Sequence, residues 1–321
     1  MGYIIGLLAA LIFGANGSVI KVLVSSGLSA AQLTFFRTLT VMVLTGLVLL
    51  VSDRKSFRIS RRQLLWMFVL GVFGVAGLQY FYAVAVSRIS VGIALLFEYL
   101  AVLAVAVIAR VFFKEQVRPR IWVAIGFVLA GLAIVAQVWD SHVELWGMIA
   151  ALIAAAAYTV YFMVGEKALT VMSVMGMTFW AMLFATAFWG IFSSWWEIDL
   201  SVLTQQISMT GSLEEVIVPL WVPLLWAVVV GSFVSFVLSF VALKRLKATP
   251  AGIIASSEVI FAFVVAWLWL GEALNLVQIL GAAIVVAGIV LAQTARPGKV
   301  MDLDLATTTA GTTGTITTPK G

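Results

Sequence analysis

The stretch VGIALLFEYL (Val91–Leu100) returns, altered, as AGIIASSEVI (Ala251–Ile260). Each copy opens with an apolar residue, Gly and Ile, and places a glutamate six residues after the glycine: Glu98 in the first, Glu258 in the second. Downstream, Glu115 and Gly131 are 16 residues apart, as are Glu272 and Gly288. Leu33-Thr34-Phe35-Phe36 likewise echoes Met177-Thr178-Phe179-Trp180. The chain therefore reads as two copies of one unit, residues 1–140 and 141–294.

Around these blocks the sequence is too apolar for water. It is 63% hydrophobic and only 10% charged, against about 25% charged in a soluble domain. Charges and prolines cut it into ten apolar runs, each near the length that crosses a bilayer as a helix. They are Tyr3–Val24, Ala30–Val51, Gln63–Val86, Val91–Phe113, Ile121–Val138, Leu145–Gly165, Val171–Trp196, Leu220–Leu243, Ala251–Leu270 and Leu276–Gln293. The first run has no basic segment before it and no small-residue cleavage site, so it reads as a retained helix. The expected fold is an all-α integral membrane protein of ten transmembrane helices.

Charge gives the orientation. Sixteen of the 19 Lys and Arg residues fall in the loops of one side, led by Arg54, Lys55, Arg58, Arg61 and Arg62. The opposite loops are acidic, with Asp140, Glu144, Glu197, Asp199, Glu214, Glu215 and Glu272. The positive-inside rule then puts both termini in the cytoplasm of a plasma or inner membrane. Five spans is an odd number, so the second repeat enters the membrane inverted. Inverted repeats are the pattern of secondary transporters, whose substrate site lies near the midplane between the halves. Residues 295–321 are rich in Thr, Gly and Ala, and read as a disordered cytoplasmic tail.

The run Val91–Leu100, with Ser257-Glu258-Val259 and Leu270-Gly271-Glu272, resembles EamA-type members of the drug/metabolite transporter superfamily. The pattern is most similar to amino-acid exporters of the threonine/homoserine type. One departure is that the family's proline in these helices is replaced by Val102 and Val259. The resemblance implies a central cavity lined by the first, third, fourth, sixth, eighth and ninth spans.

Ionisable groups inside a membrane are costly, which makes them candidates for function. Lys21 sits near a helix end, where it is expected to snorkel outward. Arg37 lies deeper, as a structural partner for a carboxylate or carbonyl. Glu98 and Glu258 are the informative pair. A carboxylate in a low-dielectric cavity can exchange a proton near neutral pH, and it can equally pair with a substrate ammonium. The competing reading is that each locks helix packing. Around them the candidate contacts are Asn16 between two glycines, Tyr80 at the end of the third span, Tyr158 and Tyr161 on one face of the sixth, and Ser235 and Ser239 on the eighth.

The sequence has no HExxH, GxxxxGK[ST] or GxSxG motif, so neither hydrolase nor ATPase chemistry is expected. It has no cysteine, which excludes disulfides and thiolate metal sites. No cofactor, metal or nucleic acid is expected; the net charge of +5 sits in loops. The expected partners are the lipid bilayer and a small amphipathic substrate such as an amino acid, with proton coupling. The reading is a secondary-active exporter working by alternating access. Export of drugs or nucleotide precursors stays open, as does an intramembrane enzyme or lipid-carrier scaffold.

Overall fold

The computed structural model describes residues 2–111, 119–135, 137, 144–198, 200–245 and 248–295. Glu115, Asp140, His142 and the tail expected to be disordered lie outside the described residues.

Helices follow the apolar runs. They are α1 (Gly2–Ser25), α2 (Ala30–Ser52), α3 (Arg61–Val86), α4 (residues 91–111), α5 (Pro119–Val135), α6 (Leu145–Leu169), α7 (Val174–Phe192), α8 (residues 221–245), α9 (residues 248–270) and α10 (Leu276–Ala295). Serine caps start several of them. Ser29 and Ser60 accept from the backbone of Gln32 and Gln63, whose side chains bond back to the caps. Ser90 and Ser173 cap α4 and α7. Each cap satisfies amide groups that the first helical turn leaves open.

α1, α2, α3, α6, α7 and residues Trp221–Ser239 of α8 are long and apolar enough to cross a membrane, whereas Val91–Val105, Pro119–Val135, Ile254–Leu270 and Leu276–Ala292 are shorter apolar helices. Leu8, Leu47, Phe73, Leu152, Ile191 and Trp267 are exposed, while Asn16, Thr34, Arg37, Thr38, Ser232 and Ser235 are buried. This reverses the usual arrangement of a protein in water. Lipid on the outside accounts for it.

α1 lies against α8 and α9, α2 against α7 and α8, α3 against α6 and α7, α4 against α6, and α5 against α10. The α5–α10 crossing is held by glycine. A Cβ at Gly131 would stand 2.8 Å from the Gly281 carbonyl oxygen, and one at Gly281 would stand 2.8 Å from the Val135 nitrogen. Backbones this close need residues without side chains, a usual device between membrane helices.

Among the described residues, four helices leave regular α geometry. α3 and α8 each contain a π-helical stretch, Leu70–Ala76 and Trp226–Val234, and α9 ends in one at Ala266–Leu270. α4 breaks at Tyr99, between Val91–Glu98 and Leu100–Val111. The break forms although no proline is near. Bulges of the π type often mark functional positions.

Two expectations are corrected. α7 stops at Phe192 instead of running to Trp196, because Ser194 takes a left-handed conformation (φ 49°) and Trp195–Glu197 form a separate 3-10 turn. Lys21 does not snorkel freely. Its ammonium pairs with Glu272 at 2.5 Å and donates to the Ile89 carbonyl at 3.0 Å. Glu272 in turn accepts from the Val91 amide at 2.9 Å. The segment after α7 is also more ordered than an acidic loop. Strands β1 (Gln206–Ser208) and β2 (Ile217–Pro219) pair antiparallel, and Trp269 of α9 donates its indole N–H to the Met209 carbonyl at 2.9 Å. This hairpin covers one end of α9.

Candidate functional site

The break in α4 sets two polar residues side by side at a helix joint. Glu98 closes the first segment and Tyr99 forms the turn. Tyr99 is buried, and its hydroxyl lies 3.1 Å from the Ala255 carbonyl and 3.3 Å from Glu258 Oε2. The two repeated stretches are thus joined through their own polar residues. Close packing holds them there: Gly92 of α4 lies directly against the Phe263 ring, and a Cβ at Gly14 of α1 would stand 2.8 Å from the Glu258 carbonyl oxygen.

Glu98 is different. It is half-buried and has no hydrogen-bond or ion-pair partner among the described residues. Its charge interacts through space with Glu258 and Arg37. Arg37, only 8% exposed, donates from Nε to Ser232 Oγ at 3.2 Å. The Ser232 hydroxyl donates in turn to the Ala227 carbonyl five residues back, at 2.9 Å. Such a contact matches the wider π-helical turn of α8. Arg37 is thus the cation whose charge reaches Glu98.

Beside Arg37, Asn16 bonds from its amide nitrogen to the Gly231 carbonyl at 3.2 Å. Asn16 Oδ1, Ser18 Oγ and Gln79 Oε1 are buried with no partner among the described residues. An unpaired buried polar atom costs about 1–3 kcal/mol, and each one in a native structure calls for an explanation, such as a ligand or ordered water. Thr186 Oγ1 of α7 and Ser193 Oγ just after it are buried without a partner as well, so such atoms are not confined to the site.

The remaining candidates divide. Tyr158 stacks near Phe162 (4.4 Å between centroids) and Tyr161 (5.7 Å), and it interacts through space with both Glu98 and Glu258. Tyr80 instead packs on Trp189 of α7 at 4.7 Å. Ser235 is fully buried and bonds the Val230 carbonyl at 2.9 Å, again five residues back. Ser239 is half-buried, with no hydrogen bond among the described residues. The structure thus groups Glu98, Glu258, Arg37 and Tyr158, with Asn16 one residue from the Arg37 contact. Tyr99 and Tyr82 complete the group. Tyr82 interacts through space with Glu98, Glu258 and Arg37. Tyr99 could have been found in the sequence by its place next to Glu98. No local signal gave the Arg37–Ser232 contact, which spans 195 residues. Among the described residues, no group of three or more His, Cys, Asp or Glu could hold a metal.

The sequence matches the EamA-like transporter family twice, over residues 1–137 and 145–294. The chain belongs to the EamA-like transporter family. It therefore carries two EamA domains, and its family consists of membrane transporters, not enzymes. No curated protein matches the chain. A solved crystal structure, described only as that of a protein, superposes with a TM-score of 0.59 at 16% identity, covering 92% of this chain and 98% of the other. At that identity the likeness concerns the fold alone.

Proposed function

We propose that this EamA-like protein is a secondary-active exporter of small amphipathic metabolites such as amino acids, working by alternating access in a plasma or inner membrane. The single observation that carries the reading is Glu98: a carboxylate inside an apolar bundle, without a bonded partner among the described residues, within reach of the charges of Glu258 and Arg37. A group held in that way is available to a substrate ammonium or to a proton. The packing role weighed above is filled at Glu258, which Tyr99 already binds.

In this reading the chain has ten spans in two inverted five-helix repeats, 1–140 and 141–294, with both termini cytoplasmic and the 206–219 hairpin outside. The helix pairings support it. Exchanging α1 with α6, α2 with α7, α3 with α8, α4 with α9 and α5 with α10 turns the α1–α9 contact into α6–α4, and α2–α8 into α7–α3. It leaves α2–α7 and α5–α10 unchanged. The π-helical stretches of α3 and α8 also correspond. In the repeat, Glu98 and Glu258 are equivalent. The test is flux of a panel of radiolabelled amino acids from proteoliposomes, with and without a pH gradient. Saturable counterflow of at least one amino acid is expected. Its absence across the panel, with the protein folded, would refute the substrate class.

A further inference from the structure

The hairpin end of the bundle holds a cavity of about 450 Å³ that the central cluster does not explain. Its walls include Lys21, Ser25, Ser87, Thr210, Leu270 and Glu272. Volumes of this size accommodate small organic ligands. The cavity contains one cation and one anion, already paired with each other at 2.5 Å.

Each member of the pair has a second anchor. Lys21 keeps the Ile89 carbonyl, and Glu272 keeps the Val91 amide that starts α4. Together these bonds tie α1, the α3–α4 turn and the α9–α10 turn at one mouth of the bundle. A monovalent ligand cannot displace the pair cheaply. An anion that took Lys21 would strand the partly buried Glu272, and a cation that took Glu272 would strand Lys21. Removing one partner from a buried ion pair is costlier than replacing both. A ligand with both charges close together satisfies both partners at once, with two charge-assisted bonds for the one broken.

We propose that this vestibule is a second binding site, selective for small zwitterions, in which the ligand's carboxylate takes Lys21 and its ammonium takes Glu272. Binding there replaces the direct Lys21–Glu272 bond and leaves both anchors on the α3–α4 turn in place. The proposal deepens the exporter reading, and rests on it for the supposition that zwitterions pass this way. The site itself uses none of the central carboxylates.

The test uses the full-length protein in nanodiscs. Ser87→Cys places a lone thiol on the vestibule wall of a cysteine-free chain. Maleimide labelling is followed while L-alanine, its methyl ester or N-acetyl-L-alanine is titrated at fixed ionic strength. L-alanine is expected to protect the thiol. The ester, a pure cation, and the N-acetyl compound, a pure anion, are expected to need at least about tenfold higher concentration, the scale of one charge-assisted bond. Adding Lys21→Met or Glu272→Gln is expected to weaken L-alanine protection by about the same factor. The ligand series in the Ser87→Cys protein alone decides the matter should either variant fail to fold. Equal protection by all three compounds would overturn the proposal, and so would no protection by any. Labelling requires no turnover, so a failure here is distinguishable from a failure of the central site.

Discussion

The Tyr99 hydroxyl stands 3.3 Å from Glu258 Oε2, and this contact joins the two repeated stretches at their polar positions. It sets the two glutamates apart: Glu258 is hydrogen-bonded, and Glu98 beside Tyr99 has no such partner among the described residues. In the proposed repeat the two residues are equivalent, yet their surroundings make them unequal.

Tyr99→Phe removes the hydroxyl that bridges the Ala255 carbonyl and Glu258. The expected loss is about 1 kcal/mol of stability, together with reduced flux. Melting curves and counterflow on one preparation measure both. Tyr3→Phe, at an exposed tyrosine, is expected to change neither. Equal effects from the two substitutions would contradict a specific role for the Tyr99 contact.

The approach of α1 to α9 depends on Gly14. Gly14→Val sets a branched side chain against the Glu258 carbonyl and the Ala262 amide, each 2.8 Å from where its Cβ would stand. Backbone cannot yield as a flexible side chain would, and overpacking of this kind costs about 1–3 kcal/mol. A lowered melting temperature and lost flux are expected. Gly126→Ala, where nothing lies within 4 Å of the new Cβ, is the control and is expected to melt no lower than the parent.

The orientation follows from loop charge and is open to labelling. Arg58 and Glu214 are both exposed, at opposite ends of the bundle in the proposed arrangement. A cysteine at Glu214 should react with an impermeant maleimide in intact cells, and a cysteine at Arg58 only after permeabilisation. The reverse pattern would invert the topology.

Much of the fold was legible because lipid-facing helices need unbroken apolar runs; the serine caps at 29, 60, 90 and 173 emerged only from the structure. The hairpin was not legible. Its strands are three residues each, too short for an alternating pattern, and Gly211 turns between them with φ 56° against the backbone of Trp269 and Leu270. The Lys21–Glu272 pair joins residues 251 apart, so position near a helix end suggested solvent where the fold supplies a carboxylate. At the central site the two glutamates were legible as costly intramembrane charges. Which of them is bonded depends on Tyr99 turning at the α4 break, a matter of tertiary packing that the spacing of residues does not contain.

The central claim is that Glu98 acts in transport and does not merely hold helices together. Glu98→Gln keeps the shape and hydrogen-bonding capacity of the side chain while removing its charge and its proton. Melting temperature and amino-acid counterflow, measured on the same purified sample, separate the two roles most directly. The expected result is a melting temperature within a few degrees of the parent and flux reduced by about tenfold or more, the scale of one lost charge-assisted bond. Flux equal to the parent's, whatever the melting temperature, would contradict the claim and leave Glu98 a packing residue.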